Sequence, residues 1–220
     1  MIKPISYAEK LLICRKIANF VAPKPQKAMK QEHFNTSQKE LNLEFLRQYC
    51  LEHGEVKTFE PGEILEKAGE ASRWIAYVES GYFKYTLKAS GGKSVCTGFA
   101  FKDEFVANYP FCLEGELSEL TIEAGMPCKV IVIEGKELKR MYNEDGEKKD
   151  IGIHIINNLF KMVYSRYLDL YRYKAKERYT LLLNRCPQIV QQLPLKDIAS
   201  FLNITPSYLS TIRTQITFDK

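Results

Sequence analysis

The segment from Thr205 to Arg213 concentrates hydrogen-bonding side chains at helical spacing. Its sequence, Thr-Pro-Ser-Tyr-Leu-Ser-Thr-Ile-Arg, places two apolar residues, Leu209 and Ile212, among hydroxyl groups and a guanidinium. Residues three apart share a helix face, so these two point to one side and the polar groups to the other. Hydroxyl and guanidinium groups bind phosphate oxygens and base edges. The candidate nucleic-acid contacts are therefore Thr205, Ser207, Tyr208, Ser210, Thr211 and Arg213.

The residues just before this segment predict a second short helix and a sharp turn. Ile198 gives that helix an apolar face, and Ala199 is small enough for another helix to approach closely. Asn203 is among the few residue types that tolerate the left-handed backbone of such a turn. Thr205 can cap the following helix, and Pro206 suits its first position. Together these positions have the spacing of a helix-turn-helix.

The charge distribution agrees with a DNA-binding C-terminal region. The chain carries a net charge of +5, and Arg172–Lys220 holds eight Lys or Arg against three Asp or Glu. The rest of the chain is balanced, so the whole basic excess lies where phosphate contacts are expected. The alternatives are a solvated basic tail and an ordinary helical hairpin. The apolar content of this region and its turn residues favour DNA binding over both.

The middle of the chain has a sequence pattern typical of antiparallel β structure. Short β-type runs alternate with turn signals such as Glu60-Pro61-Gly62-Glu63 and Ser90-Gly91-Gly92-Lys93. None of the intervening segments is long and helical enough for a parallel crossover, so we predict a sandwich or barrel of about eight strands. The clearest runs are Trp74 to Val78, Tyr82 to Leu87, Val95 to Phe101, Leu120 to Ala124 and Lys129 to Ile133.

Helical patterns flank this region on both sides. Before it, helices are predicted from Tyr7 to Val21 and from Gln38 to His53, with a polar linker, Lys24 to Thr36, between them. After Asp145, apolar residues recur at the seam period of a coiled coil and predict a dimer interface, the alternative being a helix buried within a monomer. A neighbouring stripe of Ile155, Leu159 and Met162 suits packing on the chain's own β domain. The predicted interface residues are Ile153, Ile156, Phe160, Val163, Tyr167 and Leu170.

Taken together, residues 38 to 220 resemble the Crp/Fnr family of bacterial regulators. The resemblance rests on the glycine-punctuated β region, the Phe101-Lys102-Asp103-Glu104-Phe105 element, the long helix and the block from Ile198 to Arg213. It implies an α+β protein with an antiparallel, jelly-roll-like β-roll as sensor, a dimerisation helix and a winged-helix-like helix-turn-helix domain. We expect little room for the family's wing after the second helix. The implied domains are a helical N-terminal extension (1–37), the β-roll (38–144), the dimerisation helix (145–172) and the DNA-binding domain (173–220).

The resemblance also supplies an expectation for the effector. Members that bind cyclic nucleotides hold the phosphate with an Arg-Ser pair and the ribose with a glutamate from a Gly-Glu pair. Here Glu104 falls at the glutamate after Asp103, and Ser118 and Glu119 fall at the Arg-Ser pair. A carboxylate repels phosphate where a guanidinium would bind it, so we expect no tight binding of cyclic AMP. The candidate effector-pocket residues are Phe101, Glu104, Phe105, Ser118 and Glu119.

No cofactor or metal site is identified from the sequence. The six cysteines are widely and irregularly spaced, and we expect reduced, partly buried thiols rather than an iron–sulfur cluster or disulfides. The three histidines, His33, His53 and His154, are far apart, which argues against a metal-dependent enzyme. The effector remains unidentified.

The sequence therefore predicts a cytoplasmic, non-enzymatic, homodimeric transcription regulator without a membrane segment. Its predicted partners are a pseudo-palindromic operator in double-stranded DNA, a second copy of itself and RNA polymerase. The family's base-reading Arg-Glu pair and later arginine fall on Pro206, Ser207 and Thr211, so the operator should differ and Arg213 is the strongest remaining contact. Two alternatives are a cupin-like small-molecule-binding protein and a signalling module that docks a protein without touching DNA.

Overall fold

The computed structural model of the protein describes residues 34–35, 43–144 and 146–218. These residues fall into two compact units, and the chain passes from one to the other between Leu168 and Asp169. The predicted helix from Tyr7 to Val21 lies outside the described residues, as does most of the predicted linker.

The first unit is built on eight strands in two antiparallel sheets. One sheet has the order β1-β8-β3-β6 and the other the order β2-β7-β4-β5. The prediction of an α+β fold with an antiparallel β-roll is confirmed, and the five clearest β-type runs are all strands. The strands are β1 (Glu55–Phe59), β2 (Ile64–Glu66), β3 (Trp74–Ser80), β4 (Tyr82–Lys88), β5 (Ser94–Phe101), β6 (Phe105–Ala107), β7 (Thr121–Ala124) and β8 (Cys128–Glu134).

Strand β8 shows how the sheet containing β1 and β3 buries both of its faces. Successive side chains of a strand point to opposite faces, and here both sets are apolar. Val130 and Val132 enter the core between the two sheets. Ile131 and Ile133 enter a second core on the outer face of the sheet. That outer face must be covered by other elements, and helices cover it.

Four helices belong wholly or mostly to this first unit. They are α1 (Glu44–His53), α2 (Phe111–Glu114), α3 (Gly135–Tyr142) and the 27-residue α4 (Gly146–Arg172). Helix α1 is observed from Glu44 within the predicted range of 38–53, and residues 38–42 lie outside the described residues. Leu46 of α1, Leu138 of α3 and Ile155 of α4 all pack into the second core. No helix among the described residues is long and apolar enough to span a membrane.

The second unit is helical in the part of the chain that the structure describes. Its helices are α5 (Ala175–Arg185), α6 (Ile189–Gln192), α7 (Leu195–Phe201) and α8 (Pro206–Phe218). Each of the larger helices has at least one fully or almost fully buried side chain: Tyr179, Ile198 and Leu209. Helices α7 and α8 are the predicted helix-turn-helix pair.

The turn between α7 and α8 depends on a left-handed residue, which gives a testable prediction. Asn203 has φ 54° and an exposed side chain, so its role is conformational rather than one of packing. Asn203→Ala should lower the free energy of unfolding by about 1 kcal/mol, because alanine tolerates this backbone poorly. Asn203→Gly is the matched control and should be at least as stable as the parent. Urea unfolding followed by circular dichroism measures both, and equal destabilisation by the two would contradict this account.

Candidate DNA interface and effector cavity

The helix-turn-helix is closed by backbone hydrogen bonds across the turn. The Asn203 amide donates to the carbonyl of Ser200 at 2.9 Å, and the Ile204 amide donates to the carbonyl of Ala199 at 3.0 Å. Ala199 is completely buried, as its small side chain predicts. The turn therefore fixes where α8 begins.

The start of α8 is capped as its sequence predicts. Pro206 is the first residue of the helix, and the hydroxyl oxygen of Thr205 accepts a hydrogen bond from the Tyr208 amide at 3.2 Å. This bond satisfies one of the amides that a helix start leaves without a partner. The Thr205 oxygen is thus used by the fold, although its proton is still available to a phosphate.

The polar face of α8 is open to solvent. Ser207, Tyr208, Ser210 and Thr211 are exposed, whereas Arg213 is half-buried. The Thr211 hydroxyl donates to the Ser207 carbonyl at 3.2 Å, so its proton is engaged within the helix. Ser207, Tyr208 and Ser210 are consequently the best-placed donors on this face.

Arg178 supports the turn from a neighbouring helix, and the sequence analysis missed it. Its guanidinium donates to the Tyr173 carbonyl at 2.7 Å and to the Leu202 carbonyl at 3.0 Å. Leu202 directly follows α7, so Arg178 ties the start of α5 to the helix-turn-helix. No local sequence pattern predicts this contact between Arg178 and Leu202, which are 24 residues apart.

Helix α4 presents an exposed apolar stripe over much of its length. The six residues predicted for the dimer interface are all on this surface, from Ile156 at 41% exposed to Phe160 at 65% exposed. Two further aromatic residues, Tyr164 and Tyr171, extend it and were missed by the seam pattern. The rings of Phe160 and Tyr164 stack at 5.7 Å, and those of Tyr164 and Tyr167 at 6.4 Å.

A neighbouring stripe of α4 lines a cavity of about 430 Å³ against the β-roll. The cavity wall from α4 consists of Ile155, Leu159, Met162 and Arg166, together with Val163 of the exposed stripe. Five aromatic residues complete most of the rest of the wall, and the remaining polar groups are few. The aromatic residues are Tyr85, Phe99, Phe105, Tyr109 and Tyr142, and the other polar residues are Asn35, Thr97 and Asn108.

Glu104, the predicted ribose-binding residue, is bound by the protein's own Asn35. The backbone amide of Asn35 donates to Glu104 Oε1 at 2.8 Å, and its side-chain amide donates to Oε2 at 2.8 Å. The same side chain donates to the Phe99 carbonyl at 3.0 Å, and the Phe101 amide donates to Glu104 Oε2 at 3.0 Å. Glu104 is completely buried, and these charge-assisted bonds offset the cost of removing its carboxylate from water.

Phe34 and Arg166 complete this network. Phe34 is 1% exposed, and its ring meets Phe99 edge-on at 5.6 Å. The guanidinium of Arg166 lies 4.9 Å from the centre of the Phe34 ring. It also donates to the side-chain oxygen of Asn35 at 3.2 Å and to the Phe34 carbonyl at 3.4 Å. Arg166 of α4 is thereby held against Phe34 and Asn35.

The other predicted effector residues have separate positions. Phe105 lines the cavity, whereas Glu119 is exposed and Ser118 is buried beside Asn108. The Asn108 side-chain amide donates to the Ser118 hydroxyl at 3.0 Å. Among the five predicted residues, Phe105 therefore lies in the wall of the cavity, with Asn108 as a polar neighbour that the sequence analysis missed. Phe101 packs on Phe34 instead, at 5.7 Å between ring centres.

A buried carboxylate lies near the roll's short helix α2. Glu66 is 5% exposed, and its Oε2 accepts a hydrogen bond from the Arg73 amide at 3.3 Å. Desolvation, with a smaller contribution from Glu66, raises the pKa of Cys112 in α2 to about 12. The thiol of Cys112 is therefore protonated at neutral pH.

Tyr109 and Tyr142 line the cavity with buried hydroxyl groups that lie close to each other. Desolvation raises the pKa of Tyr109 to about 12, although the neighbouring Tyr142 hydroxyl opposes the rise. The pKa of Tyr142 is raised by desolvation and by Tyr109. Both phenols keep their protons at neutral pH. Within the described part of the chain, neither hydroxyl has a hydrogen-bond partner.

The described residues contain no cluster of three or more His, Cys, Asp or Glu that would suit a metal ion. The five described cysteines are free and buried. The two described histidines, His53 and His154, are exposed on helices α1 and α4.

Comparison with known proteins identifies the fold. Residues 56–145 match the cyclic nucleotide-binding domain family. No curated protein matches the sequence. FixK2 from Bradyrhizobium japonicum is similar in structure with a TM-score of 0.65 and 16% identity, over 76% of this chain and 85% of that one.

Two further solved structures are similar at comparable levels. A CooA variant from Carboxydothermus hydrogenoformans has a TM-score of 0.60 and 14% identity, over 80% of this chain and 84% of that one. A protein described as a transcriptional regulator of the Crp/Fnr family, from Eubacterium rectale, has a TM-score of 0.58 and 13% identity, over 83% of this chain and 87% of that one. The predicted resemblance is confirmed at the level of the fold.

The Asn35–Glu104 contact provides a test of how the roll is stabilised. Asn35→Ala should lower the free energy of unfolding by about 2–3 kcal/mol, because it removes hydrogen bonds from a buried carboxylate. Asn35→Asp should be worse at neutral pH and should recover on acidification, because its carboxylate repels Glu104. Thermal unfolding between pH 4 and pH 8 measures both effects. Asn157→Ala, at an exposed position of α4, is the control, and an equal loss in this variant would contradict the role of Asn35.

Proposed function

We propose that this protein, which has the Crp/Fnr fold and carries a cyclic nucleotide-binding domain at residues 56–145, is a DNA-binding transcription regulator. The observation that carries the proposal is the helix-turn-helix of α7 and α8. Its turn is built by Asn203, its second helix is capped by Thr205, and the solvent-facing side of that helix is polar. Such a helix can enter the major groove and expose donors and acceptors to base edges.

The proposed regulator binds DNA as a homodimer. Two copies of α8 would enter successive major grooves of a pseudo-palindromic operator, with half-sites about 34–36 Å apart. The exposed aromatic and aliphatic stripe of α4 is the proposed dimer interface, because an apolar stripe of this length gains stability when a partner covers it. The basic excess within Arg172–Lys220 supplies attraction to phosphate.

Base reading by this helix relies on side chains that carry hydroxyl groups. Ser207, Tyr208 and Ser210 contact bases with weaker discrimination than arginine, whereas Thr205, Thr211 and Arg213 suit phosphate or mixed contacts. The half-buried position of Arg213 favours a contact at the edge of the groove. The operator therefore differs from one that an Arg-Glu pair reads.

Regulation in this proposal is non-enzymatic and takes place with DNA in the cytoplasm, with RNA polymerase as a further partner. A ligand in the cavity between α4 and the roll changes the relative populations of two arrangements of the dimer. Phe105 belongs to the cavity wall. The other four predicted effector residues are not proposed as direct ligand contacts: Phe101, Glu104, Ser118 and Glu119.

The two alternatives make different demands on the chain. A cupin-like protein needs a set of metal-ligating histidines inside the β-roll, and the two described histidines are exposed on helices. A module that docks a protein without DNA needs no polar, capped recognition helix. The exposed face of α8 favours the regulator over both.

The direct test is selection of bound sequences from a randomised duplex DNA library at two salt concentrations. We expect a two-fold-symmetric motif whose affinity falls steeply as the salt concentration rises, because phosphate contacts release counterions. Arg213→Gln should weaken binding to the selected motif by about tenfold. Arg140→Gln, at an exposed position of the roll unit, is the matched control and should bind as the parent does. Recovery of no motif, both with and without a cell extract that supplies effectors, would reject DNA binding.

The dimer interface has its own test. Replacement of both Ile156 and Phe160 with aspartate should give monomers, since both side chains are exposed and the charges would repel across a two-fold interface. Operator affinity should fall by at least about tenfold, because each half-site is then bound separately. Sedimentation velocity measures the assembly, and Lys161→Glu on the exposed surface of the same helix is the control. A double variant that still sediments as a dimer would show that the interface lies elsewhere.

A further inference from the structure

The solvent-facing side of helix α8 carries no charge among its described residues. Past Pro206, the exposed side chains of α8 end in hydroxyl, methyl or amide groups, and they are those of Ser207, Tyr208, Ser210, Thr211 and Gln215. Arginine and lysine are the residues that most often read guanine, through its O6 and N7 atoms. Since Arg213 is half-buried at the edge of this side, the exposed side needs another means of distinguishing base pairs.

Thr211 lies near the middle of this exposed side. Successive residues of an α-helix are about 100° apart around the helix axis. On that spacing Ser207 and Thr211 are neighbours one turn apart, whereas Ser210 and Tyr208 lie toward the two edges. The first turns of a recognition helix are the part that contacts base edges in the major groove. A side chain at the centre of that part therefore faces a base rather than the phosphates at the rim of the groove.

The hydroxyl of Thr211 is turned back onto the helix. It donates to the carbonyl of Ser207 at 3.2 Å. The next threonine along α8 repeats the arrangement, since the Thr214 hydroxyl donates to the Ser210 carbonyl at 3.1 Å. A threonine hydroxyl has one proton, so Thr211 does not donate to a base while it makes this bond. Because its side chain is exposed, the methyl group is left for a contact outside the helix.

A methyl group at this position matches one of the four bases. Thymine carries a C5-methyl group in the major groove, and the methyl group of threonine is a suitable apolar partner for it. Contact between the two methyl groups removes apolar surface from water, which is favourable without any hydrogen bond. Thr211 is therefore suited to distinguish thymine from cytosine, which lacks the methyl group.

We propose that Thr211 reads a thymine in each half-site of the operator, through contact between its methyl group and the C5-methyl group of the base. This inference rests on the proposed function and deepens it, because it names a base that the regulator selects. The hydroxyl groups of Ser207 and Ser210 bind neighbouring bases or phosphates and discriminate weakly among them. The methyl contact supplies discrimination that those hydroxyl groups lack.

The test begins with selection by the full-length protein from two randomised duplex DNA libraries. One library contains thymine, and the other contains uracil in place of every thymine. Uracil pairs with adenine as thymine does and differs from it by the absence of the C5-methyl group. We expect the thymine library to yield a symmetrical motif with an invariant thymine in each half-site. The uracil library should yield weaker binders at the same protein concentration.

Affinities for the selected motif then measure the contact by fluorescence anisotropy at a fixed salt concentration. Uracil at the invariant position of one half-site should weaken binding by about fourfold, the effect expected when a single methyl group loses its buried contact. Uracil at that position in both half-sites should weaken binding by about fifteenfold. Uracil at other thymines of the motif is the control and should leave the affinity almost unchanged.

Three variants assign the contact to Thr211. Thr211→Ser removes the methyl group and keeps the hydroxyl, so it should bind the thymine and uracil forms of the motif equally well. Thr211→Val keeps a methyl group at the same place and removes the hydroxyl, so it should retain the preference for thymine. Thr180→Ser is the matched control and should behave as the parent does, because Thr180 is exposed on α5 and its hydroxyl makes the same kind of bond, to the Lys176 carbonyl at 3.0 Å.

The outcomes separate this inference from the proposed function. A selected motif that binds equally well with thymine and with uracil would overturn the methyl contact and leave the regulator in place. A preference for thymine that persists in Thr211→Ser would assign the contact to another residue and would also overturn the inference. Recovery of no motif from either library would reject DNA binding itself. The comparison of thymine with uracil in the parent protein depends on no variant, so it stays valid if a variant folds poorly.

Discussion

The requirement to bury both faces of the β1-β8-β3-β6 sheet shapes the whole first unit. Alternation along β8 sends Val130 and Val132 into the roll and Ile131 and Ile133 to the opposite face, and all four are buried. A sheet with two apolar faces cannot leave either of them in water. Helices α1, α3 and α4 cover the outer face, and the position of α4 follows from that covering.

Helix α4 has two apolar stripes. One packs against the β-roll, and the other is exposed to solvent. Ile155 is 7% exposed against the roll, whereas Phe160, five residues later and on a different side of the helix, is 65% exposed. Side chains on the first stripe line the cavity. Under the proposed function, the second stripe packs against a second copy of the chain. The boundary between the two compact units also falls within this helix, after Leu168.

Local periodicity was sufficient to predict five of the eight strands, the long helix and the helix-turn-helix, because each depends on neighbouring residues. Asn203 illustrates this, since its residue type, its position between two apolar patterns and its φ of 54° agree. Contacts across the chain were not predictable in this way. The bonds from Asn35 to Glu104 span 69 residues and involve a segment outside the resemblance. The resemblance placed Glu104 in a ligand site, but the chain itself supplies its partner.

The Asn35 network also shows how α4 is held against the roll. In this structure Arg166 binds the side-chain oxygen of Asn35 at 3.2 Å, while the Asn35 amide groups bind Glu104 at 2.8 Å. Buried hydrogen bonds of this kind stabilise a fold as a connected set, so Asn35 links α4 to Glu104 and the roll.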